Sequence, residues 1–200
     1  MIVLRRMLVF LVALALLPNS AFGKSDVTLD VPAFYQADYT STLFTFEGEE
    51  KSVQTSGCGA ACTAMIVKYL YPDTEQTPET MFLWAYENDY YHGSGLGYEA
   101  LEKMLEAQSV STRWIGTYPK QLRQALKDGC PVIASMGPGY FTQNNHYIVV
   151  YGIDRKDNLR VIDPGNENKS FKKYSMDSIF SEIGGSHAFL ICSLPAQDAK

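Results

Sequence analysis

One cysteine stands where a nucleophile would be useful. Cys58 lies in Gln54-Thr55-Ser56-Gly57-Cys58-Gly59-Ala60-Ala61-Cys62, where a glycine-bearing loop turns into an apolar stretch that reads as a helix. Unpaired N–H groups and the positive end of a helix dipole at such a junction favour thiolate over thiol. Gly57 and Gly59 leave the sulfur uncluttered, so a substrate backbone has room to approach. A small cysteine buried in a tight turn would give the same local pattern, so the case rests on partners. A nucleophile needs a base. Past the first 23 residues the chain has His92, His146 and His187. His146 opens the most strand-like segment, just after the loop Gly137 to Asn145, a suitable mouth for a general base. His92, in Tyr91-His92-Gly93-Ser94-Gly95, reads as a surface residue, and His187 as a packing or capping residue. The base in turn needs an orienting acceptor. Asp163, in Val161-Ile162-Asp163-Pro164-Gly165, ends the strand that follows the His146 strand. If those strands pair antiparallel, the start of one lies beside the end of the next, and Asp163 comes near His146. An Asp before Pro is also a common turn residue. A metal site is the weaker use of these residues. Cys58 and Cys62 share a helical face, but zinc wants a second pair or nearby His ligands and none follows. No metal and no cofactor are expected.

These residues must be held by secondary structure. Val27 to Val31 reads as a short strand closed by Pro32. Residues 36–57 are polar or glycine-containing and read as one long loop. Gly59 to Leu70 is apolar on nearly every face, the pattern of a helix buried all round. Thr77-Pro78-Glu79 is a helix start, with Met81, Trp84 and Ala85 on its buried face. Tyr98, Leu101 and Leu105 make a second amphipathic stripe, and Leu122, Ala125 and Leu126 a third, stopped by Gly129. Strands then follow: Pro131 to Met136, His146 to Ile153, Leu159 to Asp163, Phe171 to Tyr174 and His187 to Leu194, with a short helix near Asp177 to Glu182. Helices first and strands later predict an α+β fold.

The 200 residues, 46% hydrophobic and 20% charged, suit one compact domain. Residues 1–23 read as a separate signal segment. Arg5 and Arg6 give a basic start, Met7 to Leu17 an apolar run, Pro18 a break, and Ala21-Phe22-Gly23 a small-residue cleavage site. Residues 24–200 are then the single functional domain, and the expected location is secreted, or in the cell envelope or periplasm. Removing the segment leaves 15 basic against 22 acidic residues, a net charge of −7. No basic run remains, which argues against nucleic acid and anionic membrane surfaces as partners. Export permits disulfides. With Cys58 kept free, Cys62, Cys130 and Cys192 allow at most one bridge, and Cys130 with Cys192 is the candidate.

Four blocks occur in a fixed order: the cysteine block, Ser135-Met136-Gly137-Pro138-Gly139, Asn145-His146-Tyr147-Ile148-Val149-Val150, and Ile162-Asp163-Pro164. Together they resemble the double-glycine (bacteriocin-processing) peptidase-like family, family 39 of the cysteine peptidases in the papain clan. The likeness is to free-standing secreted members, and it runs from about Leu29 to about Ser193. It implies a papain-like fold with the nucleophile at a helix N-terminus and a C-terminal antiparallel sheet. It also implies a Cys58–His146–Asp163 triad and a glutamine that helps hold the oxyanion. Gln36, in Val31-Pro32-Ala33-Phe34-Tyr35-Gln36, matches the family's strand-then-Gln opening, while Gln54 is nearer Cys58 in sequence; both stay open, with Gln36 preferred. Ala60 stands where the family often has Pro, and Asn145 where it often has Gly before the histidine.

The expected chemistry is amide hydrolysis through a thioester, on a peptide or protein substrate, by a monomer. Loops 88–97 and 137–145 are the expected cleft walls, with Tyr90, Tyr91, Tyr140 and Phe141 there either to grip a peptide or merely to pack, and Gly57 and Gly59 flanking the sulfur. Two rivals use the same residues: a peptidoglycan amidase or endopeptidase, and a non-catalytic binding module.

Overall fold

The computed structural model describes residues 24–196, and the expected signal segment lies outside them. A short strand β1 (Val27–Thr28) leads through a 3-10 turn at Gln36–Asp38 to a hairpin, β2 (Phe44–Phe46) and β3 (Glu49–Lys51). A one-turn helix α1 (Val53–Ser56) precedes α2 (Cys58–Leu70), α3 (Pro78–Glu87) and α4 (Tyr98–Ala107). Then come β4 (Ser111–Ile115), α5 (Pro119–Lys127), β5 (Val132–Met136), β6 (His146–Ile153), β7 (Asn158–Ile162), β8 (Lys173–Ser175), α6 (Met176–Ser181) and β9 (Phe189–Ser193).

Seven strands form one antiparallel sheet in the order β4-β9-β5-β6-β7-β8, with β1 added alongside β6. The α+β expectation holds. Strand alternation sends successive side chains to opposite faces. Ile133, Val149, Tyr151, Ile162 and Leu190 join the core with α2, α3 and α4. Val132, Ala134, Ile148, Val150 and Phe189 join the other core with α5 and α6. The sheet is therefore covered on both sides, which is why β5 and β6 read as near-continuous apolar runs.

Helix α2 is buried from Gly59 to Val67, as its all-apolar sequence requires. Each fully enclosed Met or Ile there contributes about 1.5–3 kcal/mol of apolar burial. Helix α3 starts where predicted: Thr77 and Thr80 exchange side-chain to backbone hydrogen bonds in a capping box, and Pro78 takes the first helical position. Gly129 follows the end of α5 at φ +79°, a left-handed turn that favours glycine.

Three expectations change. The stretch 36–57 is not one loop. Phe44 seats the β2–β3 hairpin by stacking on Tyr86 at 4.0 Å and meeting Phe82 at 5.1 Å. Strand β4 was not foreseen; it is a half-exposed edge strand of mostly polar residues, which alternation does not reveal. Cys130 and Cys192 do not bridge: all four cysteines are free thiols. Cys192 points into the core beneath α2, whereas Cys130 packs against the core on the opposite face.

Candidate active site

Cys58 is the first residue of α2, so its sulfur sits where the helix presents unpaired N–H groups. The turn into it is tight. A Cβ on Gly57 would lie 2.6 Å from the Val53 Cα, and one on Gly59 would lie 3.0 Å from Leu101. Both glycines thus serve close packing around the nucleophile turn. Neither faces the cleft above the sulfur, contrary to the expectation that they leave a path for substrate.

The β6–β7 pairing aligns Val149 with Ile162, so the start of β6 faces the end of β7. That register brings His146 to Asp163, with Nε2 to Oδ1 at 2.7 Å. The remaining ring nitrogen, Nδ1, is left for the Cys58 sulfur, against which the ring sits. Asp163 is 1% exposed. Its Oδ1 also accepts from the Gly165 N–H at 2.8 Å, and its own N–H donates to the Ser170 hydroxyl at 2.9 Å. Among the described residues nothing donates to its buried Oδ2. Gly165 matters by absence of bulk: a Cβ there would come within 3.2 Å of His146 Cε1 and 3.3 Å of Asp163 Oδ1.

Charge is redistributed between the sulfur and the ring. Burial pushes the Cys58 thiol up, but the hydrogen bond and charge of His146, with the backbone N–H groups of Tyr147 and Gly59, hold it below its ordinary value. Burial alone would lower His146, yet Asp163 and Cys58 raise it to about 9. The two titrate as a pair, and the arrangement favours thiolate with imidazolium. Cys62, one turn below, is different: burial and the nearby Cys58, Asp163 and Cys192 push it well up, which keeps it a neutral thiol.

A cleft of about 330 Å³ opens above Cys58, lined by His92, Gly95, Tyr98, Ser135, Asn145 and Tyr147 among others. The Tyr98 hydroxyl donates to the Gly184 carbonyl at 3.1 Å, which fixes the cleft floor. Among the described residues no group of three or more His, Cys, Asp or Glu side chains is arranged to hold a metal ion.

With this geometry in place, a family model matches residues 28–186, described as the Peptidase_C39 like family. The chain belongs to that family. It is a cysteine-type peptidase on a papain-like fold. The peptidase domain of Streptococcus ComA, a bi-functional ABC transporter involved in quorum sensing, aligns at TM-score 0.54 and 19% identity, over 70% of this chain and 93% of that domain. A double glycine motif protease from an AMS/PCAT transporter, solved in complex with the leader peptide, aligns at TM-score 0.47 and 18% identity, over 86% of this chain and 94% of that one. No curated protein matches the chain.

This C39-like peptidase gathers Cys58, His146 and Asp163 as the sequence anticipated. It separates the two glutamines. Gln36 donates its backbone N–H to the Pro164 carbonyl at 2.8 Å and its side-chain amide to the Val53 carbonyl at 2.9 Å, so it bridges the Asp163 loop and the turn before Cys58. Gln54 is exposed on α1. Of the two roles open to the loop aromatics, packing is the one the structure shows. Tyr91 is buried between Phe44, Phe46 and Phe82, and Tyr90 stacks on Trp84 at 5.8 Å. Phe141 packs edge-on to Tyr174 at 5.1 Å with Tyr140 beside it, away from the Cys58 cleft. Conversely His92 is exposed, as expected, but on the cleft wall. His187 packs on Tyr98 at 4.6 Å, as expected. Tyr98, read as part of an apolar stripe, and Ser135, read only as part of a motif block, line the cleft, which the sequence reading did not foresee. Their one signal was position, at the start of a helix and the end of a strand.

Proposed function

We propose that Cys58, His146 and Asp163 are the catalytic triad of this peptidase, and that it hydrolyses a peptide bond in a peptide or protein substrate. The observation that carries the reading is the Asp163–His146 hydrogen bond of 2.7 Å beside a thiol at a helix N-terminus, under an open cleft. The Cys58 thiolate attacks the carbonyl carbon, and the carbonyl π electrons move to oxygen. The backbone N–H of Cys58 and the side-chain amide of Gln36, which at rest donates to the Val53 carbonyl at 2.9 Å and to the Gln54 carbonyl at 3.5 Å, are the proposed donors to that oxyanion. His146 Nδ1–H gives its proton to the leaving amine as the C–N bond breaks, leaving a thioester. His146 then takes a proton from water, the hydroxide adds to the thioester carbonyl, and the thiolate departs with a carboxylic acid as product. Asp163 keeps the imidazole in orientation and stabilises the imidazolium throughout. Export through residues 1–23 and action as a monomer outside the cytoplasm belong to this proposal, supported by the basic-apolar-small pattern of that segment.

The test is alkylation by iodoacetamide from pH 5 to 9, read by mass spectrometry at each cysteine. Cys58 is expected to label first and fast near neutrality, and His146→Ala to slow it about 100-fold. Cys130, half-buried and pushed up by burial and Asp128, should follow slowly. Slow labelling of Cys58 that is indifferent to His146→Ala would put a non-catalytic binding module in place of the peptidase reading.

A further inference from the structure

The loop after Asp163 closes on itself and then reaches back towards His146. Ser170 fastens its base by accepting from the Asp163 N–H at 2.9 Å and donating to the Asp163 carbonyl at 3.3 Å. One residue earlier, Lys169 leaves this loop. Its ammonium donates to the carbonyls of Tyr140 at 2.7 Å and Phe141 at 3.2 Å, and lies 4.9 Å from the centre of the Tyr140 ring. The Tyr174 hydroxyl donates to the Lys169 carbonyl at 2.8 Å and steadies its backbone. From the far side Glu182 accepts the Tyr140 N–H at 2.9 Å, and its carbonyl accepts the Gly137 N–H at 2.7 Å. Loop 137–145 has no helix or strand of its own, and the next residue is His146. Charge-assisted bonds of this kind are the stronger class and the ones that set geometry.

We propose that Lys169 is a positioning residue of the active site. By tying the loop that follows Asp163 to the loop that precedes His146, it fixes where the chain enters β6 and so holds imidazole and carboxylate in register. The proposal rests on the triad reading above. Lys169 does not line the Cys58 cleft, so its effect reaches the chemistry only through that register. A small misplacement at a catalytic group far exceeds in rate what it costs in stability.

The experiment uses the full chain with Lys169→Met and Lys169→Arg, following Cys58 alkylation by iodoacetamide from pH 5 to 10 beside the thermal midpoint. Lys169→Met should slow labelling about 5- to 10-fold at pH 6–7 and converge with the unchanged protein near pH 10, where the thiolate forms without help. Lys169→Arg should recover labelling to within about twofold, since a guanidinium can serve both carbonyls. A Lys169→Met curve that overlays the unchanged protein overturns the proposal, even if the midpoint falls. Should Lys169→Met fail to fold, Lys169→Gln is judged by the same criterion. If instead the unchanged protein labels no faster than a free cysteine, the triad reading itself has failed, and the two failures are told apart.

Discussion

Replacing Asp163 by Asn and by Ala separates the charge of the carboxylate from its role as an acceptor. The rise of His146 from 6.5 to about 9 corresponds to about 3 kcal/mol in favour of imidazolium. Asp163 leads the favourable causes and Cys58 supplies the rest. Losing the charge that leads those causes should lower the thiolate–imidazolium population at neutral pH by about tenfold. In Asp163→Asn the side-chain oxygen can still accept from Nε2–H and Gly165 N–H, so the ring keeps its tautomer and orientation. The expected result is about tenfold slower Cys58 alkylation at pH 7. Thermal stability at pH 7 should fall modestly, because the stabilisation of His146 by the carboxylate is lost while relief of a buried charge with one unpaired oxygen offsets part of it. Asp163→Ala removes the acceptor as well, and about 100-fold slower alkylation is expected as the ring loses its anchor. The assay is the pH dependence of alkylation rate, paired with turnover once a substrate is known. Asp163→Asn labelling at the unchanged rate over pH 5–9 would refute the assignment of the His146 shift to the carboxylate.

Two other outcomes follow from the packing and charges of the fold. The raised His146 contributes stability that is full below its unfolded value of 6.5 and lost as pH rises through about 9, whereas the lowered Cys58 contributes stability that is full above its unfolded value of 9.0 and lost as pH falls through its folded one. Where the two windows overlap the slopes oppose each other, so the pair's net contribution varies less with pH than either alone; as pH falls and Cys58 protonates, the stability advantage of the unchanged protein over Cys58→Ser in urea titrations should shrink. Phe82, fully buried and in contact with Phe44 and Tyr91, should cost about 3–5 kcal/mol on change to Ala, seen as a lower urea midpoint; labelling of Cys58 in the folded variant should persist.

The residues of the proposed triad were legible because each sits at a boundary that sequence marks strongly. Cys58 begins an all-apolar helix, His146 begins a β-branched run, and Asp163 ends the next. Antiparallel register then does the rest without further information. The loops that wall the cleft were legible, since His92, Gly95 and Asn145 line it, but the role of their aromatics was not. An aromatic beside glycines looks the same whether it faces solvent, as Tyr140 does, or fills a core, as Tyr91 does. The hairpin β2–β3 escaped because three-residue strands carry too few residues for a period to show. Strand β4 escaped because a half-exposed edge strand has polar residues on both faces. Lys169 carried no signal at all: a lysine in Asn-Glu-Asn-Lys-Ser reads as surface, and only its bonds to two distant carbonyls distinguish it.

Gln36 touches both halves of the site from a segment that contributes nothing to the triad. The arm before it is held to the sheet by β1 and by the Leu29 N–H on the Tyr151 carbonyl at 2.8 Å. The seating of residues 27–36 is thus coupled to both the Asp163 loop and the turn before Cys58. A cut there is expected to leave every reacting atom covalently intact and yet slow iodoacetamide labelling of Cys58.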